Sequence, residues 1–163
     1  MRAILAVVMI VASVGASRAA DTYDDPKALV SAIYSAYQPG QPAGDPAQFY
    51  SKRLTALVAE HLDEKIAESD ALMQGEAVPA TAPFNPFMPD ASALLFDLAI
   101  GEPTTLADRS VINVSYHNFD QPRLLSIALV KEDGGWKVDD ISAVGSEDHW
   151  MLSSILTYDP HSY

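Results

Sequence analysis

Two acidic positions stand where a carboxylate could carry acid–base work. Asp97 interrupts the apolar run Leu94-Leu95-Phe96-Asp97-Leu98, where partial burial would raise its proton affinity; plain strand alternation instead turns it out to solvent. Asp139 and Asp140 are neighbours in Gly135-Trp136-Lys137-Val138-Asp139-Asp140-Ile141. On a regular strand they take opposite faces, with Asp140 on the side of Trp136 and Val138. There Asp140 would anchor a polar ligand group or a helix-borne arginine such as Arg53, and a structural ion pair is the commoner role. Tyr116 and His117 obey the same alternation, so one at most reaches an interior pocket. Tyr34, Tyr37, Tyr50 and Trp136 are either plain core or the wall of a ligand cavity.

Other chemistries lack their residues. His61, His117, His149 and His161 form no His-Glu-x-x-His or His-x-x-His pair, and the chain has no cysteine, so no metal site is expected. No Gly-x-Ser-x-Gly elbow, phosphate-cradling glycine loop or dinucleotide fingerprint occurs, so no cofactor is expected and general acid–base catalysis is the one reaction class left to weigh.

The elements that must position these residues are readable from periodicity. Asp25-Pro26 gives a cap and a first-turn proline, followed by Leu29, Val30, Ile33, Tyr34 and Tyr37 at helical spacing. Asp45-Pro46-Ala47-Gln48 predicts the start of a second helix running to about Ser69, its apolar face carrying Phe49, Leu54, Leu57, Val58, Leu62 and Ile66. From Gln74 to Asp90, prolines and Phe84-Asn85-Pro86-Phe87-Met88 predict a connecting loop whose phenylalanines fold back on the body. Four strands follow at 94–100, 111–119, 124–130 and 136–143, separated by turns at 101–103, 120–123 and 132–135. Short turns imply an antiparallel meander. Ser146 then caps a last short helix through Glu147, Asp148 and His149 to about Leu156.

Met1 to Ala19 has the order of a cleaved secretory leader: Arg2, an apolar run from Ala3 to Val14, then small residues through Ser17 and Ala19, with cleavage after 19 or after 20. The run is too short for a membrane span, so no membrane insertion is expected after cleavage, and the mature product is expected in the periplasm or outside the cell. What remains, 20–163, has the size of a single domain. With no cysteine, its stability has to come from packing. The full chain carries a formal charge of -12, and losing Arg2 and Arg18 deepens the acid excess. Such a surface repels phosphate backbones, which excludes nucleic acid; it either steers toward a cationic partner or, more commonly, serves solubility, so charge alone names no ligand.

Two N-terminal helices, a Pro-Phe loop and strands ending in Gly135-Trp136-Lys137-Val138-Asp139-Asp140-Ile141 resemble the superfamily named after nuclear transport factor two, with its cystatin-like cone. Within it the layout is similar to an exported bacterial family called domain of unknown function 3828. The resemblance implies an α+β fold, two helices on a curled four-stranded sheet with a short C-terminal helix, and a cone whose concave face often becomes a pocket. The superfamily holds isomerases, dehydratases, hydrolases and peptide binders, so fold does not convert to activity.

The reading is an exported, non-enzymatic binding or protein-interaction domain, taking a small molecule in the cone or a basic protein on the acidic exterior. Tyr50, Arg53, Asp97, Trp136 and Asp140 are its candidate binding residues. The alternative is a small acid–base enzyme of isomerase or dehydratase type, with Asp97 or Asp140 as base and a tyrosine as proton donor. The oligomeric state is not fixed by any residue pattern.

Overall fold

The computed structural model describes residues 22–37, 45–72, 85–88, 95–145 and 149–158, with the backbone alone for 63–72. The leader, Ser146 to Asp148 and most of the 74–90 loop lie outside these residues.

Helix α1 spans Pro26–Ser35. The Asp25 carboxylate accepts the Ala28 amide at 2.8 Å and Pro26 opens the first turn, so this helix begins where its cap residues place it. Leu29, Val30, Ile33 and Tyr34 form its buried stripe. The second helix departs from expectation. Asp45 caps only a 3-10 turn, Pro46–Phe49, the chain then extends through Tyr50 and Ser51, and α2 begins afresh as Lys52–Leu72. The cause is tertiary: Tyr50 bridges Val138 in parallel, and the Ser51 amide donates to the Val138 carbonyl at 2.7 Å. Ser51 Oγ in turn accepts the Leu54 amide at 3.0 Å and caps α2.

The strands are β1 (Phe96–Ile100), β2 (Thr104–Leu106), β3 (Arg109–Asn118), β4 (Gln121–Glu132), β5 (Gly135–Ala143) and β6 (Trp150–Met151), followed by α3 (Leu152–Leu156). All pair antiparallel in the order β1-β3-β4-β5-β6, with β2 also on β3. The sheet therefore has six strands rather than four. The three residues of β2 are all exposed and β6 has two residues, too short for alternation to show. His149 is not helical and Trp150 and Met151 are extended, so the last helix starts later than its acidic residues suggested.

One sheet face is covered. Along β3 burial alternates residue by residue, putting Ser110, Ile112, Val114 and Tyr116 inward. Leu125, Ile127, Leu129, Trp136, Val138 and Ile141 complete that face beneath α1, Leu54 of α2 and Leu152 of α3. Among the described residues, no helix is long and apolar enough to cross a membrane. Asp133 and Gly134 both have positive φ, 49° and 85°, which is the two-residue turn that suits the right-handed twist of a β4–β5 hairpin. Next to it, a Cβ on Gly135 would lie 2.7 Å from Thr22 Cγ2 and 3.3 Å from the Tyr23 amide nitrogen, so glycine leaves room for the chain before α1 to cross here. That crossing is fixed by the Trp136 amide donating to the Tyr23 carbonyl at 2.8 Å.

Phe87 does fold back from the loop. It is fully buried, its ring centroid 6.5 Å from Tyr34 and 6.2 Å from Tyr50. The Tyr34 hydroxyl donates to the Phe87 carbonyl at 3.2 Å, and the Tyr37 hydroxyl and the Asn85 amide group are 2.7 Å apart. Phe87→Ala should therefore open a cavity between α1 and the sheet and cost about 3–5 kcal/mol. Urea unfolding followed by tryptophan fluorescence would measure it, and a loss under about 1 kcal/mol would show that the ring is not core.

Candidate functional site

The covered face holds two of the candidate residues. Tyr50 and Trp136 are both buried in the core cluster. The Trp136 indole donates to the Asp24 carbonyl at 3.1 Å, which satisfies its one polar atom. Burial pushes the Tyr50 phenol well up, with the charges of Tyr37 and Asp45 adding to it. Burial does the same to Tyr34, so neither hydroxyl is tuned to give a proton near neutral pH. Phe87 fills the space beside these rings.

Arg53 and Asp140 meet at an irregularity in β5. The β4–β5 register slips between Ala128 and Leu129: Leu129 pairs with Val138 and Ala128 with Asp140, so Asp139 is one residue too many. This is a β-bulge, which changes the expected alternation. Val138 and Ile141 both face the core, and the two aspartates between them both turn to the other face. Asp140 therefore does not share the side of Trp136.

Asp139 is the residue that takes the arginines. It is only 7% exposed; its Oδ1 accepts Ser51 Oγ at 2.8 Å and Arg53 Nε at 3.0 Å, and its Oδ2 accepts Arg109 Nη1 at 2.8 Å. Arg53 Nη2 donates to the Asp139 carbonyl and lies 3.9 Å from Asp140 Oδ2. Asp140 instead accepts its own neighbour's amide, Ile141 N, at 2.9 Å, and Ser153 N at 3.1 Å, with Ser153 Oγ donating to its other oxygen. It thus caps the start of α3, whose own preceding residue, Met151, has no capping side chain. Burial pushes the Asp139 carboxyl up, but the bonds from Arg53 and Ser51 and the charges of Arg53 and Arg109 outweigh it and hold its pKa below the usual carboxylate value.

Asp97 is elsewhere. It sits in β1 at a register shift between Phe96 and Ala99, with a positive φ of 53° and a side chain 86% exposed. Its Oδ2 lies 3.7 Å from His117 Nδ1, and His117 pairs with Phe96 across β1–β3. One residue beyond His117, the β3–β4 hairpin closes with Asn118 paired to Gln121, so the turn is Phe119–Asp120 rather than the four residues 120–123. Phe119 has a φ of 57° and is 65% exposed, and Phe96 is 49% exposed. A bulky residue with positive φ is an outlier among L-amino acids, and hairpin turns normally place glycine, asparagine or aspartate there.

The molecule thus separates two places. Around Asp139 and Asp140, the named polar contacts are internal: Ser51, Arg53 and Ser153 join helices to the sheet, and Arg109 and the Ile141 amide bond within it. Around Phe96, Asp97, His117, Phe119 and Asp120, apolar and acidic groups face solvent together. Asp97 and Asp140 lie apart, and among the described residues neither meets a tyrosine or histidine in an enclosed site. No group of three or more His, Cys, Asp or Glu among the described residues could hold a metal ion.

No protein-family model matches the chain, and no curated protein matches it. A solved structure, the type VI native effector-immunity complex Tae3-Tai3 from Ralstonia pickettii, contains a chain to which this one is similar, with a TM-score of 0.46 and 16% identity, covering 77% of this chain and 99% of that one. At that identity and score the likeness does not tell what this chain binds.

The depressed Asp139 pKa carries a sign. A carboxyl with a lower pKa folded than unfolded adds stability that is complete above the unfolded value and is lost as pH falls through the folded one. Asp139→Asn should cost about 2–3 kcal/mol at neutral pH, reduced from a fully buried pair because both guanidiniums are half exposed. The difference from wild type should persist down to the unfolded carboxyl value of about 3.9 and shrink as pH falls below it through the lower folded value. Urea melts of both proteins across that range would show it; a constant difference down to pH 2 would mean that the carboxylate charge plays no part.

Proposed function

We propose that this chain is an exported, non-enzymatic protein-binding domain whose partner is basic. The observation that supports it most is the solvent-facing group of Phe96 and Phe119, with Leu98 also exposed, on a chain of formal charge -12. Exposed apolar residues scattered singly are ordinary, but grouped at one end and rimmed by charge they mark association surfaces. An acid excess speeds encounter with a positively charged protein and disfavours nucleic acid. Export rests on the leader-like order of residues 1–19, and places the encounter in the periplasm or outside the cell.

The enzyme alternative needs a carboxylate and a proton donor brought together out of water. Asp97 is open to solvent, Asp140 is engaged by Ser153 and Ile141, and the interior tyrosines are held as poor donors by burial. A small-molecule cavity lined by Tyr34, Tyr37 and Tyr50 competes with Phe87 for the same space.

The protein purified gently at low salt from the envelope of its own cell should carry a second, basic polypeptide in native mass spectra, released by raising the salt to about 0.5 M. A retained small molecule with no polypeptide would overturn the reading in favour of the cone.

A further inference from the structure

One end of the sheet stands out from its neighbours. The β4–β5 ladder stops at Leu125 and Ala143, with a last bond from the Val144 amide to the Leu124 carbonyl at 2.9 Å. The β1–β3 ladder stops at Phe96 and His117. The β3–β4 pair continues to Asn118 and Gln121, so on the β5 side the hairpin projects about 10 Å past the last rung, at about 3.3 Å per residue. Its tip is Phe119–Asp120.

Two backbone outliers lie at this one end, Asp97 and Phe119. Each holds its residue where an L side chain is disfavoured, at a cost of order 1–2 kcal/mol. Neither gains burial for it: the Asp97 carboxylate and the Phe119 ring both lie largely in solvent. Phe96 lies between them on the rung of His117. Arg123, the next cationic residue along the hairpin, shares the rung of buried Tyr116, so alternation assigns it to the opposite face. Asp120 is exposed, and the Gln121 side-chain amide lies 3.5 Å from its Oδ1. Aromatic side chains held rigidly on a projecting tip are what anchors association, because they bury large apolar area with little further loss of rotamer freedom. The carboxylates beside them match a cationic segment and disfavour an acidic one.

We propose that the start of β1 and the tip of the β3–β4 hairpin form a docking knob for a basic peptide segment of a partner protein, with Phe96 and Phe119 as apolar anchors and Asp97 and Asp120 meeting its Lys or Arg side chains. The proposal deepens the protein-binding reading above and rests on it.

Phage-displayed random dodecapeptides, panned on the immobilised protein at low salt, supply the probe. Peptides with Arg or Lys beside apolar residues should be enriched. Phe119→Asn, which suits the positive φ and so keeps the turn, should weaken their binding at least about tenfold. Asp97→Asn with Asp120→Asn should weaken it and flatten its salt dependence. Leu106→Asn, exposed in β2, which pairs with the far end of β3, should change nothing. Thermal melts should show every variant folded, with the aspartate and Leu106 variants matching wild type and Phe119→Asn at or slightly above it, since asparagine relieves the positive φ. Basic peptides that bind equally after the Phe119 and aspartate changes, or that are lost with Leu106→Asn, would overturn the knob while leaving a basic partner in place. Enrichment of acidic peptides, or of none, would overturn both.

Discussion

One extra residue in β5 organises the fold. A regular strand would alternate through Val138, Asp139 and Asp140; the bulge at Asp139 puts both acids on the face away from the core and brings Ile141 back into it. On the free side of β5, the Val138 carbonyl takes the Ser51 amide and so fixes where α2 starts. A nearly buried carboxylate would by itself be costly, yet Asp139 has three side-chain donors: Ser51 from the helix cap, Arg53 from the first turn of α2, and Arg109 from the start of β3. Two come from the start of α2 and one from the start of β3. The charge is tolerated because those two stretches meet there, and their meeting holds the start of α2 against the sheet. In a chain with no cysteine, this internal ion group is a non-covalent tie between the start of α2 and the sheet.

Much of the architecture was legible because it is local. Asp25-Pro26 and the stripe of Leu29, Val30, Ile33 and Tyr34 specify α1 within ten residues. The burial of β3 alternates without a break, and Asp133-Gly134 carries the turn chemistry its hairpin needs. What escaped is long-range or too short. The helix expected from Asp45 yields to a strand-edge bond made to a residue 87 positions later, and no local pattern records such competition. A bulge leaves the same letters in sequence as a regular strand, so Asp139 and Asp140 could not be assigned to one face from spacing.

The site followed the same division. The aromatic residues considered for a cavity wall, Tyr50 and Trp136, are types that also build cores, and here they do. The partner expected for Arg53 is Asp140, which lies 3.9 Å away, while the closer contact is Asp139 at 3.0 Å. Asp97 faces solvent as strand alternation allows. Phe119 reads from alternation as the end of a strand, although one signal is present: a phenylalanine between Asn118 and Asp120 where two long strands must turn, with no glycine in the turn itself.

The two ends of the sheet divide stability from exposure. Near Gly135 and Asp139 the sheet is tied to the segment before α1 and to the start of α2. At the Phe119 end the hairpin continues past its neighbouring strands. Strain and apolar exposure at the tip can persist because their cost is small against the packing of Phe87, Leu129 and Val138 well away from it. A residue that relieved the φ of Phe119 would improve the turn, and the presence of phenylalanine there shows that turn stability is not what that position has been optimised for.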